Sequence, residues 1–267
     1  MPPGVTGSNT STRGVSVAGV LLQIKNVSKV YADEGRVVRV LDDVSFDVHE
    51  DEFVCLVGPS GCGKSTLLKM ILNLDTPTSG DVLYRSRPVS EYSERISIVF
   101  QSFALLPWLT VSQNVELGLE ARGLRRSERL AVVNKYLDKV GLDGFEEAYP
   151  RELSGGMKQR VGIARALAMG PELLCMDEPF SALDALTAQN LREEVLDLWE
   201  DESVPVSSVI MVTHSIDEAV FMADRVIVLS ARPGRVVGDV KIDLPRPRNM
   251  KEEAFHEMTD RIYSLIV

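Results

Sequence analysis

The run Val54-Cys55-Leu56-Val57-Gly58-Pro59-Ser60-Gly61-Cys62-Gly63-Lys64-Ser65-Thr66-Leu67-Leu68 constrains this chain more than any other stretch. An apolar strand leads in, glycines at 58, 61 and 63 let the backbone turn, and an apolar helix leads out. Every slot of G-x-x-x-x-G-K-[ST] is filled from Gly58 to Ser65. In such a loop the backbone of Gly58, Pro59, Ser60, Gly61, Cys62, Gly63, Lys64, Ser65 and Thr66 wraps an anion, and the positive end of the following helix adds to the attraction. The group held is a polyphosphate. Lys64 reaches the β- and γ-phosphates as a point charge, and the Ser65 hydroxyl ligates a Mg²⁺ that bridges them.

A chain of 267 residues with 45% hydrophobic content buries one substantial core, which predicts one domain with an inserted subdomain rather than two independent folds. The net charge of −10, with no Lys/Arg stripe to offset it, excludes nucleic acid as a partner. Cys55, Cys62 and Cys175 show no disulfide spacing and fit reduced thiols. Cys62, beside Lys64 and a helix N-terminus, is expected to favour the thiolate and to react with a bulky alkylating agent unless the bound nucleotide polyphosphate protects it. Residues 1–19 are dominated by Pro, Gly, Ser, Thr and Val and form a tail that cannot repay its ordering entropy. No apolar run approaches the roughly 18 residues of a membrane span.

From Leu21 to Val48 short apolar runs on either side of an Asp33 to Arg36 turn predict an antiparallel ribbon. Tyr31 on that ribbon either stacks on a purine face or packs an edge strand. Gln101 ends the β-rich run Ile96–Phe100, where a neutral amide can touch Mg²⁺ or its water and report that contact elsewhere. Leu105 to Val111 follows as an apolar loop in which Trp108 either offers a partner surface or folds back on its own subdomain. Leu130, Val133, Leu137 and Val140 predict a helix from Ser127 to Gly141. Ser154 is placed as a helix N-cap followed by Gly155 and Gly156, whose unobstructed N–H groups make a second anion site.

Leu173 to Glu178 is an apolar strand ending in two carboxylates, as a central parallel strand delivering acids to its carboxyl end would. Asp177 is assigned to the metal shell. Glu178 is assigned to orienting and deprotonating the attacking water, a role worth about 10²–10⁴ in rate. His214 closes the strand Val209–Thr213 on the same edge of the sheet and is expected to contact the γ-phosphate. His49 and His256 have no partner motif and read as surface residues.

With the Gly58–Ser65 loop, Gln101, Leu153-Ser154-Gly155-Gly156, Asp177-Glu178, the Ser181 to Asp184 loop and His214 in one order, the chain resembles an ABC-type ATPase from about Leu21 to Leu244. Within that family it is similar to the nitrate, sulfonate, taurine and bicarbonate importer ATPases, on Leu106-Pro107-Trp108-Leu109-Thr110-Val111, Ala231-Arg232-Pro233-Gly234 and Asp243-Leu244-Pro245-Arg246-Pro247-Arg248. Met157 departs from the glutamine usual there in the broader family, although this subgroup often does the same.

The resemblance implies an α/β fold: a P-loop NTPase core of mostly parallel strands, an antiparallel β subdomain and an inserted α-helical signature subdomain. It implies a domain over residues 20–249, with the helical insertion at about 102–165 and a helical tail at 250–267 that leaves no room for a regulatory domain. It also implies ATP with Mg²⁺, stacking of Tyr31 on adenine, and a homodimer in which Ser154, Gly155 and Gly156 of one copy close over the nucleotide held at Lys64 of the other. The implied partners are a transmembrane permease and, indirectly, a solute-binding protein, with the chain at the cytoplasmic face of the membrane. The competing readings are the ATPase of another ABC transporter class, carrying lipid or metal or acting as an exporter, and a soluble ABC ATPase. Tandem halves or a long coiled-coil insertion, which the soluble class would carry, are absent; a non-catalytic regulator would lack Glu178 or His214, and both are present.

Overall fold

The computed structural model describes residues 19–33 and 36–266. The expected tail therefore lies, up to residue 18, outside the described residues, as does the tip of the ribbon turn at 34–35. β1 (Val20–Asp33) and β2 (Arg36–His49) form the antiparallel ribbon, with Asp33 opposite Arg36 at the turn. Its register slips on both sides of the Val27–Val44 pair, where Asn26 has φ 49° and Asp43 φ 55°. The Asn26 backbone N–H donates to Ser45 Oγ and its side-chain amide to Asp43 Oδ1, so short polar side chains take up the groups that the bulge leaves without ladder partners.

β3 (Phe53–Val57) is buried at every position because it has apolar layers on both faces. Phe53, Cys55 and Val57 join one core cluster, while Val54 and Leu56 join the other. After β3 come α1 (Lys64–Ile71), β4 (Ser79–Tyr84), β5 (Arg87–Pro88) and β6 (Ile96–Val99). Three helices follow: α2 (Val111–Ala121), α3 (Arg126–Lys139) and α4 (Gly155–Ala168). The chain then alternates through β7 (Leu173–Asp177), α5 (Ala185–Glu200), β8 (Ser208–Val212), α6 (Ile216–Met222), β9 (Arg225–Leu229), β10 (Val236–Lys241) and α7 (Glu253–Ile266).

Two sheets result. One is four-stranded and antiparallel, in the order β2-β1-β4-β5; the other is six-stranded, in the order β10-β9-β3-β8-β7-β6. In the larger sheet only β10 runs against its neighbour. Because β3, β8, β7 and β6 lie side by side and parallel, the residues that follow them gather along one edge, where open α/β sheets place their ligands.

α3 begins at Arg126 rather than by a Ser127 cap. The Glu128 carboxylate reaches back to the Arg125 backbone N–H at 3.0 Å, which satisfies the helix entrance one turn residue earlier. Gly141, with φ 64°, terminates the helix as its spacing predicts. α7 runs two residues later at its start than the Lys251 to Leu265 helix predicted, and it buries Phe255 and Ile262.

The turn between β9 and β10 is pressed against the Gly58–Gly63 loop. Gly234 donates its N–H to the Val40 carbonyl and accepts from the Asp42 N–H, and a Cβ built on it would lie 2.1 Å from the Cys62 carbonyl oxygen. Gly234→Ala is therefore expected to destabilise the fold by about 2 kcal/mol, since the atom it meets is backbone and cannot swing away. Denaturant unfolding measures this; an unchanged midpoint and slope would show that the turn yields freely.

Candidate active site

The loop after β3 owes its shape to backbone that side chains would obstruct. Gly63 has φ 107°, and a Cβ there would stand 2.5 Å from Leu41 Cδ2. No side chain caps α1, so its entrance remains open to an anion. Lys64 is only 6% exposed, and its Nζ donates to the carbonyls of Gly58 at 2.7 Å and Pro59 at 3.2 Å. The cation is thus folded over the loop that precedes it. One expectation fails here: the Cys62 thiol is fully buried, with Lys64 Nζ at 3.9 Å and so little space on the other side that a Cβ on Gly58 would come within 3.0 Å of the sulfur. The loop offers a ligand its backbone while the Cys62 side chain points into the core, closed to a bulky alkylating agent.

Ser65 and Asp177 meet as expected, with Ser65 Oγ donating to Asp177 Oδ1 at 3.1 Å. Burial pushes the Asp177 carboxyl above its ordinary value; the Ser65 bond works against that rise and the neighbouring Glu178 charge adds to it. A carboxylate in this position gains from a divalent cation. Among the described residues no cluster of three or more His, Cys, Asp or Glu could hold a metal by itself. One hydroxyl and one carboxylate, completed by phosphate oxygens and water, nevertheless fit the hard oxygen shell that Mg²⁺ takes beside a nucleotide.

Glu178 follows β7 with φ 46°, a conformation that costs a residue bearing a Cβ about 1–3 kcal/mol. It is held there by its own N–H donating to the Val212 carbonyl at 2.9 Å, and by Ser181 Oγ donating to its carbonyl at 3.0 Å. The result aims the carboxylate sideways. Glu178 Oε2 accepts from Gln101 Nε2 at 3.2 Å and lies 3.1 Å from His214 Nδ1. Residues following β6, β7 and β8 thereby converge on one carboxylate. Gln101 Nε2 also donates to Ser181 Oγ at 3.1 Å, so the hydrogen bonds of this amide nitrogen run to Glu178 and Ser181 rather than to Ser65 or Asp177. Ser181, which the sequence marks only as the start of the Ser181 to Asp184 loop, is thereby a site residue; its position three residues after Glu178, inside a turn, was the available signal.

Tyr31 is 41% exposed, its hydroxyl donating to Asp75 Oδ2 at 2.7 Å and its ring 4.9 Å from Lys29 Nζ. Burial and the Asp75 bond raise its phenol pKa while the Thr66 side chain lowers it, which sets the Tyr31 hydroxyl near the first turn of α1. Ser154 caps α4, accepting from the Met157 N–H at 3.3 Å. The two glycines after it serve different ends: a Cβ on Gly156 would strike Thr187 Cγ2 at 2.6 Å, so its bareness lets α4 pack on α5, whereas a Cβ on Gly155 would make only an ordinary contact with Leu183. Access for an anion is therefore not the reason for both.

Trp108 is 69% exposed. Its loop is braced from below by Asn114, a fully buried α2 residue that accepts from the Leu106 N–H and donates to the carbonyls of Leu106, Leu109 and Thr110. Of the two readings of this tryptophan, the folded-back one is excluded. His256 is exposed as read, whereas His49 is half-buried with its Nδ1 3.4 Å from Glu52 Oε2.

A protein-family model described as ABC transporter matches residues 41–181. The nitrate import ATP-binding protein NrtD of Synechocystis is 45% identical to this chain, over 92% of the chain and 94% of NrtD. The aliphatic sulfonates import ATP-binding protein SsuB of Bacillus cereus is 40% identical, over 90% of the chain and 94% of SsuB. Among solved structures, a dimeric ATP-binding cassette bound to ADP and Pi in a post-hydrolysis state superposes with a TM-score of 0.74 at 34% identity, covering 84% of this chain and all of the other. No helix among the described residues is long and apolar enough to cross a membrane. With a phosphate-binding loop and converging acids on one sheet edge, and with these relatives matching nearly end to end, the chain belongs to the ABC transporter family as an ATP-binding subunit, an ATPase coupled to transport.

Proposed function

We propose that this subunit drives an importer: two copies close on ATP, and the cycle takes a small solute of the nitrate, sulfonate, taurine or bicarbonate kind through a separate membrane permease supplied by a solute-binding protein. The subunit works at the cytoplasmic face of the membrane, held there by the permease. Its ATPase domain spans 20–249 with the helical insertion at about 102–165, between a tail at 1–19 and a helical tail at 250–267. Each nucleotide lies between copies, wrapped by residues 58–66 of one and faced by Ser154, Gly155 and Gly156 of the other, with Tyr31 stacked on the adenine.

In this reading Ser65 and Asp177 hold Mg²⁺, with Gln101 completing the approach to it, and the metal when bound neutralises charge on the phosphates. Glu178 orients the attacking water and takes its proton. His214 contacts the γ-phosphate while its Nδ1 faces Glu178, and Lys64 turns from the Gly58 and Pro59 carbonyls onto the phosphates. Catalysis comes from positioning and charge neutralisation rather than from covalent chemistry.

The observation that carries the transport reading is Trp108, a large apolar side chain pushed into solvent by a loop that Asn114 stiffens, only a few residues after Gln101. Phe145 and Tyr149 are exposed as well, in the segment whose Glu146 and Ala148 carbonyls pair with the first N–H groups of α2. This surface suits a groove for a short cytoplasmic helix of the permease. A buried tryptophan anchor typically contributes at least about 2 kcal/mol to such a contact. Trp108→Ala is expected to release the subunit from solubilised permease in a pull-down, or to uncouple transport, while the free subunit binds ATP as before. Unchanged assembly and transport would put the docking groove elsewhere.

A further inference from the structure

The loop carrying Gln101 is bent by two consecutive residues in the left-handed region, Phe103 at φ 64° and Ala104 at φ 47°. Neither is glycine, and a side chain strains the backbone in that region, so the bend needs support from outside the loop. The support is Arg165 on α4. Its Nη1 donates to the Ala104 carbonyl at 2.6 Å and its Nη2 to the Phe103 carbonyl at 2.8 Å. Burial lowers the pKa of this guanidinium, and among the described residues it has no carboxylate in ion-pair reach. A charged donor with only two carbonyls to serve holds them firmly.

Two bare glycines of the same helix also face this loop. A Cβ built on Gly162, one turn before Arg165, would lie 3.6 Å from the Phe103 carbonyl, and one built on Gly155 would lie 4.0 Å from the tip of the Phe103 ring. Gln159, on the same helix, keeps both amide atoms buried without a partner, so it takes no share in holding the loop. Phe103 thus lies beside the first residue and the middle of α4, while Gln101, two residues earlier, touches Glu178.

We propose that Arg165 is a positioning residue for ATP hydrolysis, fixing the Phe103 and Ala104 carbonyls so that Gln101 is set against Glu178 and moves as one body with the Ser154–Gly156 end of α4. The proposal rests on the roles given above to Gln101 and Glu178. Arg165 touches no reacting atom; it acts through the loop.

The test is a double-mutant cycle on the purified full chain, with kcat, KM and ATP affinity measured for Arg165→Ala, Gln101→Ala and the double variant. Arg165→Ala is expected to lower kcat about tenfold, to change ATP affinity by less than about twofold, and to lower kcat by less than about twofold more when Gln101 is already Ala. Arg165→Lys, which can reach one carbonyl, is expected to recover part of the loss. Equal losses in both backgrounds overturn the proposal while leaving Gln101 in its role. An unchanged kcat in Gln101→Ala overturns the proposal together with the role assigned to Gln101. If the alanine variant does not fold, Arg165→Lys carries the same cycle, and additive losses there overturn the proposal equally.

Discussion

Replacing Glu178 by Gln leaves ATP bound and lowers turnover by about 10²-fold or more. The substitution is close to isosteric, and what fixes residue 178 in place is backbone: its N–H on the Val212 carbonyl and its own carbonyl under Ser181. The amide oxygen still accepts from Gln101, so the turn keeps its shape. What disappears is a carboxylate able to accept a proton at the point where residues from three strand ends meet. Lys64, Ser65 and Asp177 are untouched, so affinity is preserved and the nucleotide persists unhydrolysed. Steady-state ATPase assays alongside equilibrium ATP binding check this; near-normal turnover with the fold intact removes Glu178 from the mechanism.

Lys64→Ala acts on the other half of the site, and its effect falls on binding. The ammonium is almost fully buried over the Gly58 and Pro59 carbonyls, at the centre of the loop that wraps the anion. Removing a buried, hydrogen-bonded charge from its partner typically costs about 2 kcal/mol or more, which is roughly 30-fold in affinity. Lys64→Arg is expected to rescue little, because a planar fork cannot occupy a space shaped for a compact ammonium. Titration with a fluorescent ATP analogue reads the result, and a variant that binds within about twofold of the parent would show that this loop is not the polyphosphate site.

Local rules made much of this architecture readable in advance. β3 shows as a continuous apolar run because it is buried on both faces, and β7 shows its function because its apolar run stops at Asp177-Glu178. The ribbon of β1 and β2, the stop at Gly141 and the cap at Ser154 are likewise set by neighbouring residues. What escaped the sequence was decided across the fold. Cys62 faces inward because Gly58 and the turn at Gly234 close the loop from outside. Gly156 is bare for Thr187, a residue of the next helix but distant in the chain. The start of α3 was misplaced because the Glu128 side chain does the work assigned to Ser127. Trp108 could be read two ways until the buried Asn114 was seen to brace its loop. Arg165 carries no signal of its own in the sequence, since nothing near it in the chain announces the strained pair at 103–104.

The claim on which the rest depends is that ATP is held between two copies, and the mass of the Glu178→Gln variant in solution tests it most directly. With Mg-ATP, static light scattering should give twice the mass of one chain, and with ADP the mass of one. Adding Ser154→Arg, which fills the face proposed to close over the partner's nucleotide, should return the ATP sample to one chain while each copy still binds ATP. A single-chain mass at full ATP occupancy in the Glu178→Gln protein would contradict the account.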